Sequence, residues 1–227
     1  MRLITWNCCS GDVRGRLRQL ARLKPHLVVL QEVAQPAPAS DDPHVHWRGT
    51  TPRKGVAIIA CGDGYPLAAV AAPPDVLPHT CAAVVQGPTP FLLVAMWAHP
   101  KPNYADNAIA VVREWRAREP TIPLVVAGDF NVELRAPLST ARHRRLAALL
   151  HDECGLVSAY HAHNGLHYGH GEAPTYRHLR KAHLPWHIDY CFVPAGWTSR
   201  ITAATVVDSR IWRGRSDHAP VVVEWED

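Results

Sequence analysis

Residues 124–131 read LVVAGDFN, and this stretch decides the fold. Leu124 to Ala127 form an apolar, β-rich run that breaks into Gly128, Asp129, Phe130 and Asn131. An acid and an amide at the end of a buried run are costly unless each finds a partner. In α/β architectures ligands gather at strand ends, where residues far apart in sequence converge on one crevice. Working outward from GDFN, other apolar runs carry an uncommon polar residue in the same way. ITWN ends at Asn7, LVVLQE ends at Glu32, and HIDY carries Asp189. SDH, with Asp217 and His218, immediately precedes the last apolar run. Taken singly, Asn7 reads as a turn residue and Glu32 as a solvated strand end. Together the five elements form a constellation.

The remaining pattern is many strands with a few helices. Strand-like runs fall at 3–6, 27–30, 56–60, 82–85, 91–97, 124–127, 188–193, 201–207 and 221–225. Helical periodicity predicts helices over 12–23, 103–118 and about 139–152. Ser139 or Thr140 caps the start of the third, and Gly155 stands where a left-handed terminating residue belongs. Proline-rich stretches at 35–43, 71–78 and 87–90 read as surface loops, and no boundary divides the chain, so residues 1–227 are expected to form one domain. The segment 151–187 holds eight of the fifteen histidines and reads as a long loop region.

Composition narrows the function classes. With 47% hydrophobic and 19% charged residues the chain is of globular composition, and no uninterrupted apolar segment is long enough to span a bilayer. No secretory leader shape precedes the first strand, which predicts a cytoplasmic protein without membrane insertion. Six cysteines are scattered without a C-x-x-C pair, the pattern of reduced thiols. The net charge of +4 suits an anionic substrate but is far below that of a nucleic-acid-coating protein. Only four of the 24 basic residues are lysines. Guanidinium forks match phosphate oxygens, although a general arginine bias explains the count equally well.

The ordered set T-W-N, Q-E, G-D-F-N, H-I-D-Y and S-D-H-x-P resembles the endonuclease/exonuclease/phosphatase superfamily over nearly the whole chain. The resemblance implies an α/β fold, a four-layer α/β sandwich with two mostly antiparallel sheets packed face to face and helices outside. It also implies a metal-dependent phosphoesterase with a phosphoester substrate, DNA or RNA being the leading class. A protein partner is not implied.

Hydrolysis of an anionic ester requires charge neutralisation, an activated water and a stabilised transition state. Glu32 is the natural first ligand for Mg²⁺ or Mn²⁺, hard ions that prefer carboxylate oxygen. The resemblance gives Asn7 and Asp217 supporting places around the ion. Asp129 would orient or deprotonate the attacking water, and Asn131 would donate to a phosphoryl oxygen. Asp189 and His218 form a dyad in which a carboxylate fixes an imidazole's tautomer and stabilises its protonated form.

One position departs from the family pattern. Where members often present a histidine or tyrosine toward the phosphate, this sequence has Trp97, which cannot donate a proton in that way. His99 lies on the same face by period two and could substitute. Trp97 could instead stack on a flat leaving group, although packing is the plainer reading. Arg53 and Lys54 before GVAIIA, and Thr175 with Tyr176 and Arg177 after Pro174, are further substrate-side candidates. His161, His163, His167 and His170 could hold a transition metal. The competing functions are a non-catalytic phosphate-binding module of the same fold, and a phosphatase or phosphodiesterase acting on a small-molecule or lipid phosphoester.

Overall fold

A computed structural model describes residues 1–36, 44–71, 79–134, 140–181 and 183–227. In chain order the first half holds β1 (Arg2–Asn7), α1 (Val13–Leu20), β2 (Leu27–Val33), β3 (Val45–Thr51), β4 (Lys54–Ala60), β5 (Leu67–Val70), β6 (Thr80–Val85) and β7 (Phe91–Trp97). The second half holds α2 (Tyr104–Arg118), β8 (Leu124–Asp129), α3 (Ala141–Ala148), β9 (Leu156–Ser158), α4 (Ala159–Asn164), β10 (Tyr176–Arg177), β11 (Pro185–Trp186), β12 (Asp189–Pro194), β13 (Ile201–Val206), α5 (Arg210–Arg213) and β14 (Val221–Trp225). Two six-stranded sheets result, ordered β13-β14-β1-β2-β4-β3 and β5-β6-β7-β8-β12-β9, with β10 and β11 as a separate hairpin. The pairs β1–β2 and β7–β8 run parallel, and the other sheet neighbours are antiparallel.

Strand alternation builds the layers, because successive side chains leave opposite faces of a sheet. Leu3, Leu27, Val29, Val56 and Ile58 of the first sheet meet Leu93, Ala95, Val125, Ala127 and Cys191 of the second in one central cluster. The intervening residues Ile4, Trp6, Val28 and Leu30 face outward onto Val13 and Leu20 of α1 and onto Trp212 of α5. Across the molecule, Leu92, Val94 and Val126 face Ala108, Val112 and Trp115 of α2 and Leu146 of α3. Helix, sheet, sheet and helix therefore stack in four layers, as the family resemblance implies.

All nine expected strands and all three expected helices are present. Asn103 caps α2 by accepting from the Asp106 amide, and Thr140 caps α3 by accepting from the His143 amide. Ser139 lies outside the described residues, as do much of the 35–43 and 71–78 loops. The long loop expected at 151–187 is corrected: it contains β9, α4 and the β10–β11 hairpin. Strands of two or three residues are too short to display a period.

Candidate active site

The same alternation that fills the core carries its inward-facing series to one end of the sandwich. Leu3 and Thr5 lead to Asn7, Val125 and Ala127 lead to Asp129, and Val193 and Cys191 lead back to Asp189. Parallel and antiparallel registers bring these ends together: Asn7 lies opposite Gln31, Trp97 opposite Asp129, and Asp189 opposite Asp129. Two local departures from regular strand finish the arrangement. The β2–β4 register shifts between Gln31 and Val33, and Glu32 between them has φ +57°, so this bulge re-aims the carboxylate. At Gly128, with φ +147°, an added Cβ would lie 1.9 Å from the Met96 carbonyl oxygen, so β8 can approach β7 there only through glycine.

A continuous hydrogen-bond network results. The Asn7 carboxamide donates to Glu32 Oε1 at 3.1 Å and to Asp129 Oδ2 at 2.9 Å. Asp129 in turn accepts from the Asn131 backbone at 2.8 Å and from its side chain at 3.1 Å. His218 Nδ1 is 2.8 Å from Asp189 Oδ2, and its Nε2 lies 3.9 Å from Asp129 Oδ2. Ser216 holds the loop beneath, donating to the Asn7 carbonyl at 2.8 Å and accepting from the His218 amide at 3.0 Å. Tyr176 covers His218, with ring centroids 4.6 Å apart.

Electrostatics divide the labour. Burial by itself would lower His218, but the Asp189 carboxylate, joined by Asp129 and Asp217, pushes it up to about 9. It is therefore an imidazolium at neutral pH, aimed past Asp129. Burial and the neighbouring Asp189 push Asp129 up to about 7, against the opposing pull of His218, Asn7 and Asn131. Asp129, Asp189 and His218 offer ligand atoms all within 4.8 Å of one another, the one such trio among the described residues. A protonated imidazole bonded to a carboxylate is a poor ligand, which makes this trio better suited to handling protons than to holding a cation. Glu32, Asp217 and the Asn7 oxygen are the hard donors that could hold a divalent ion, and Lys54 already pairs its ammonium with Glu32.

The other expected residues are placed as follows. Lys54 joins the site through Glu32 and lies over the Trp97 ring at 5.8 Å, whereas Arg53 is exposed on the turn before β4. Trp97 is half-buried and packs on His79 at 4.7 Å, with His99 stacked on the far partner of that contact, His79, at 5.5 Å. Thr175 is corrected: it is fully buried, and its Oγ1 accepts from the Ile188 and Asp189 amides at 3.0 Å each. It positions Asp189 and cannot reach a substrate. The four histidines do not gather: His161 is buried against Glu172, while His163, His167 and His170 are exposed. Residues that sequence reasoning missed are His79, Ser216 and Cys9. The Cys9 amide donates to Asn7 Oδ1 at 3.0 Å. Cys9 could have been noticed, since it stands two residues after Asn7.

Beside Asn131 opens a cavity of about 640 Å³, walled by Tyr104, Tyr176, Trp186 and Ile188, with His143, His178 and Glu133 at its polar edge.

The result is a two-sheet α/β sandwich with carboxylates, an amide and a buried histidine gathered at one rim. The model of the Endonuclease/Exonuclease/phosphatase family matches residues 4–218, and the chain belongs to that family. Its members are nucleases and phosphatases acting on phosphoester bonds. Among solved structures, the chain is similar to the 3′ phosphatase NExo from Neisseria bound to a product DNA hairpin, and to the 3′-5′ exonuclease NExo from Neisseria meningitidis. Each has 23% identity, a TM-score of 0.71 and 100% of both chains covered. An AP endonuclease from Archaeoglobus fulgidus is similar at 18% identity, TM-score 0.71, again with 100% of both chains covered. At these identities the likeness carries the fold. No curated protein matches the sequence.

Proposed function

We propose that the chain is a single-domain, divalent-metal-dependent phosphoesterase whose substrate is nucleic acid. The observation that carries this reading is the single hydrogen-bonded network joining Glu32, Asn7, Asp129 and Asn131, with the Asp189–His218 pair at its edge. Mg²⁺ or Mn²⁺ held by Glu32 with Asn7 and Asp217 would neutralise phosphate oxygens and lower the charge barrier to attack. Asp129 takes or orients the proton of the attacking water. Asn131 keeps that carboxylate aimed and offers its amide to a phosphoryl oxygen. His218, protonated through Asp189, donates to the oxygen that gains charge in the transition state. Nucleic acid is favoured because one similar structure is a 3′ phosphatase bound to a product DNA hairpin and another is named an AP endonuclease, and because the aromatic-walled cavity beside Asn131 suits a sugar or base.

A cytoplasmic setting belongs to the same proposal. All six cysteines are free, as in a reducing compartment, and no helix among the described residues is long and apolar enough to cross a membrane.

The test is hydrolysis of plasmid DNA and of chromogenic phosphodiester and monoester substrates, with Mg²⁺, Mn²⁺ or chelator, comparing wild type with His218→Ala. Metal-dependent cleavage lost in the variant is the expected result. Tight binding of a phosphorylated ligand without turnover on any substrate would replace the enzyme by a binding module.

A further inference from the structure

Charge is unevenly distributed along the chain. Segments 10–24 and 208–216, which hold α1 and α5, carry eight basic and two acidic side chains, a net +6, whereas the whole chain is +4, so the remainder sums to −2. The two segments meet in one surface. Trp212 of α5 packs on Trp6 at 5.1 Å, and the Arg22 and Arg215 guanidinium groups lie over the Trp212 ring at 4.8 and 5.2 Å. Val13, Leu17 and Leu20 turn the apolar side of α1 inward. Arg14, Arg18 and Arg22, spaced four residues apart, are exposed on the other side. Over those residues a helix rises about 12 Å.

Both acids of these segments are engaged elsewhere. Asp12 Oδ1 accepts from the Gly15 amide at 2.7 Å as the cap of α1, and Asp208 pairs with Arg177 and, at 2.8 Å, with Arg213. Among the described residues, Arg14, Arg18, Arg22 and the exposed Arg210 form no ion pair. The opposite helical layer is built differently. There Arg113 meets Glu153 at 3.2 Å, Arg118 meets Glu114 at 2.7 Å, and Arg142 and Arg145 meet Asp106 at 3.6 and 3.8 Å. Like charges gathered on one face repel one another and do nothing for the fold, but they concentrate an anionic partner there.

Both helices lead to the crevice. Asp12 caps α1 shortly after Asn7, and Arg215 directly precedes Ser216, whose hydroxyl donates to the Asn7 carbonyl at 2.8 Å. Trp6 Nε1 donates to the His218 carbonyl at 3.1 Å, so the ring beneath the arginines also supports the catalytic loop. Trp6 and Trp212 are buried, and this face therefore offers no aromatic ring on which an unstacked base could lie. It offers guanidinium groups, which bind phosphate oxygens without reading base sequence. A duplex keeps its bases stacked inside and its phosphates outside, and it is the anion that fits.

We propose that the α1–α5 face is a docking surface for the phosphate backbone of double-stranded nucleic acid, holding the part of the polymer that flanks the ester in the crevice. This rests on the reading of the chain as a phosphoesterase of nucleic acid and narrows it, because a polymer that spans crevice and face gains contacts that a small phosphoester lacks.

Fluorescence anisotropy of a short labelled DNA duplex with the full chain, in chelator and over a range of salt concentrations, tests the face without turnover. Wild type should bind with an affinity that falls steeply as salt rises. Arg18→Gln/Arg22→Gln/Arg210→Gln should flatten the slope of log affinity against log salt by about 2 to 3, each lost phosphate contact removing ~0.9, and should weaken binding about 10- to 100-fold. Arg113→Gln/Arg118→Gln/Arg142→Gln, which removes the same charge from the opposite layer, should stay close to wild type. Far-UV circular dichroism checks folding. If loss of the Arg22 stack unfolds the triple variant, Arg18→Gln/Arg210→Gln, altered at side chains that touch no ring, repeats the test with a slope change of about 2. A wild-type slope near zero, or variants indistinguishable from wild type, overturns the proposal. So does single-stranded DNA that binds as tightly as the duplex. Binding to phosphatidylserine vesicles that is lost in the variant while duplex binding persists would make the face a membrane contact and overturn it too. Face-dependent duplex binding by a protein that hydrolyses nothing would sink the phosphoesterase reading and leave the docking surface standing. Plasmid cleavage with the same KM in wild type and variant would do the reverse.

Discussion

Two buried histidine–carboxylate pairs sit in the same sheet's neighbourhood with nearly the same geometry. His218 and Asp189 are 2.8 Å apart, and His161 and Glu172 are 2.7 Å apart. All four side chains are at most 7% exposed. What separates them is the second ring nitrogen. In His161 it lies 2.8 Å from Ser158 Oγ, and Tyr168, His187 and Tyr160 pack around the ring at centroid distances of 4.2, 5.2 and 5.5 Å. In His218, among the described residues, it faces Asp129 Oδ2 at 3.9 Å, too far for a hydrogen bond. The first pair is closed on itself and ties α4 to the loop that follows it. The second leaves a donor facing the crevice. A buried ion pair is therefore weak evidence of catalysis until the remaining donor is traced.

The sharpest way to break this comparison is to replace each centre and read both activity and stability. His218→Gln keeps a donor for Asp189 but removes the imidazolium, and kcat should fall about 10²- to 10⁴-fold, the usual contribution of a positioned proton donor. Steady-state hydrolysis measures this, and an activity close to wild type would deny His218 its role. Glu172→Ala should do the opposite. Breaking a buried pair by deleting one partner costs on the order of 3 kcal/mol, which a urea titration would read as a lower midpoint, with kcat unchanged. Loss of activity in the folded variant would mean that the two centres communicate.

A smaller effect follows from pH. His218 is raised from 6.5 to about 9 in the folded protein, so folding favours its protonated form. Its stabilising contribution is complete below pH 6.5 and is lost as pH rises through about 9. The stability difference between wild type and His218→Gln, measured in chelator, should therefore shrink across that window. Asp129, raised to about 7 chiefly by burial, acts in the same sense at lower pH, and His218→Gln also removes the His218 charge that opposes that rise. At Glu172 burial pushes the carboxyl up, yet bonds from His161 and the Gly169 backbone, with the His187 charge, leave it lowered. That group adds stability above the ordinary carboxylate range and loses it on acidification. The two centres should thus weaken at opposite ends of the pH scale.

The strand-end residues were legible because each interrupts an apolar run with a group that burial penalises. Asn7 and Glu32 read blandly when taken singly, and it is the recurrence of the pattern at Asp129 and Asp189 that marks them. Thr175 misled for the opposite reason. Its hydroxyl follows a proline in a polar segment, and only the approach of the Ile188 and Asp189 amides shows that it works inward. His99 was visible by period two from Trp97, but His79 was not, since it reaches the pair from the turn just before β6, outside any local pattern. The short elements between residues 151 and 187 also left no period to read.

By itself the sequence determined the class of fold and the residue types at the crevice. Alternation dictates which face of each strand is apolar, and a misplaced acid or amide at its end is costly in any packing. Tertiary structure alone decided which polar groups meet. Register between strands distant in sequence sets Asp189 against Asp129, and a bulge turns Glu32 toward Asn7. Those choices depend on contacts summed over both sheets, whose energies no short stretch of chain contains.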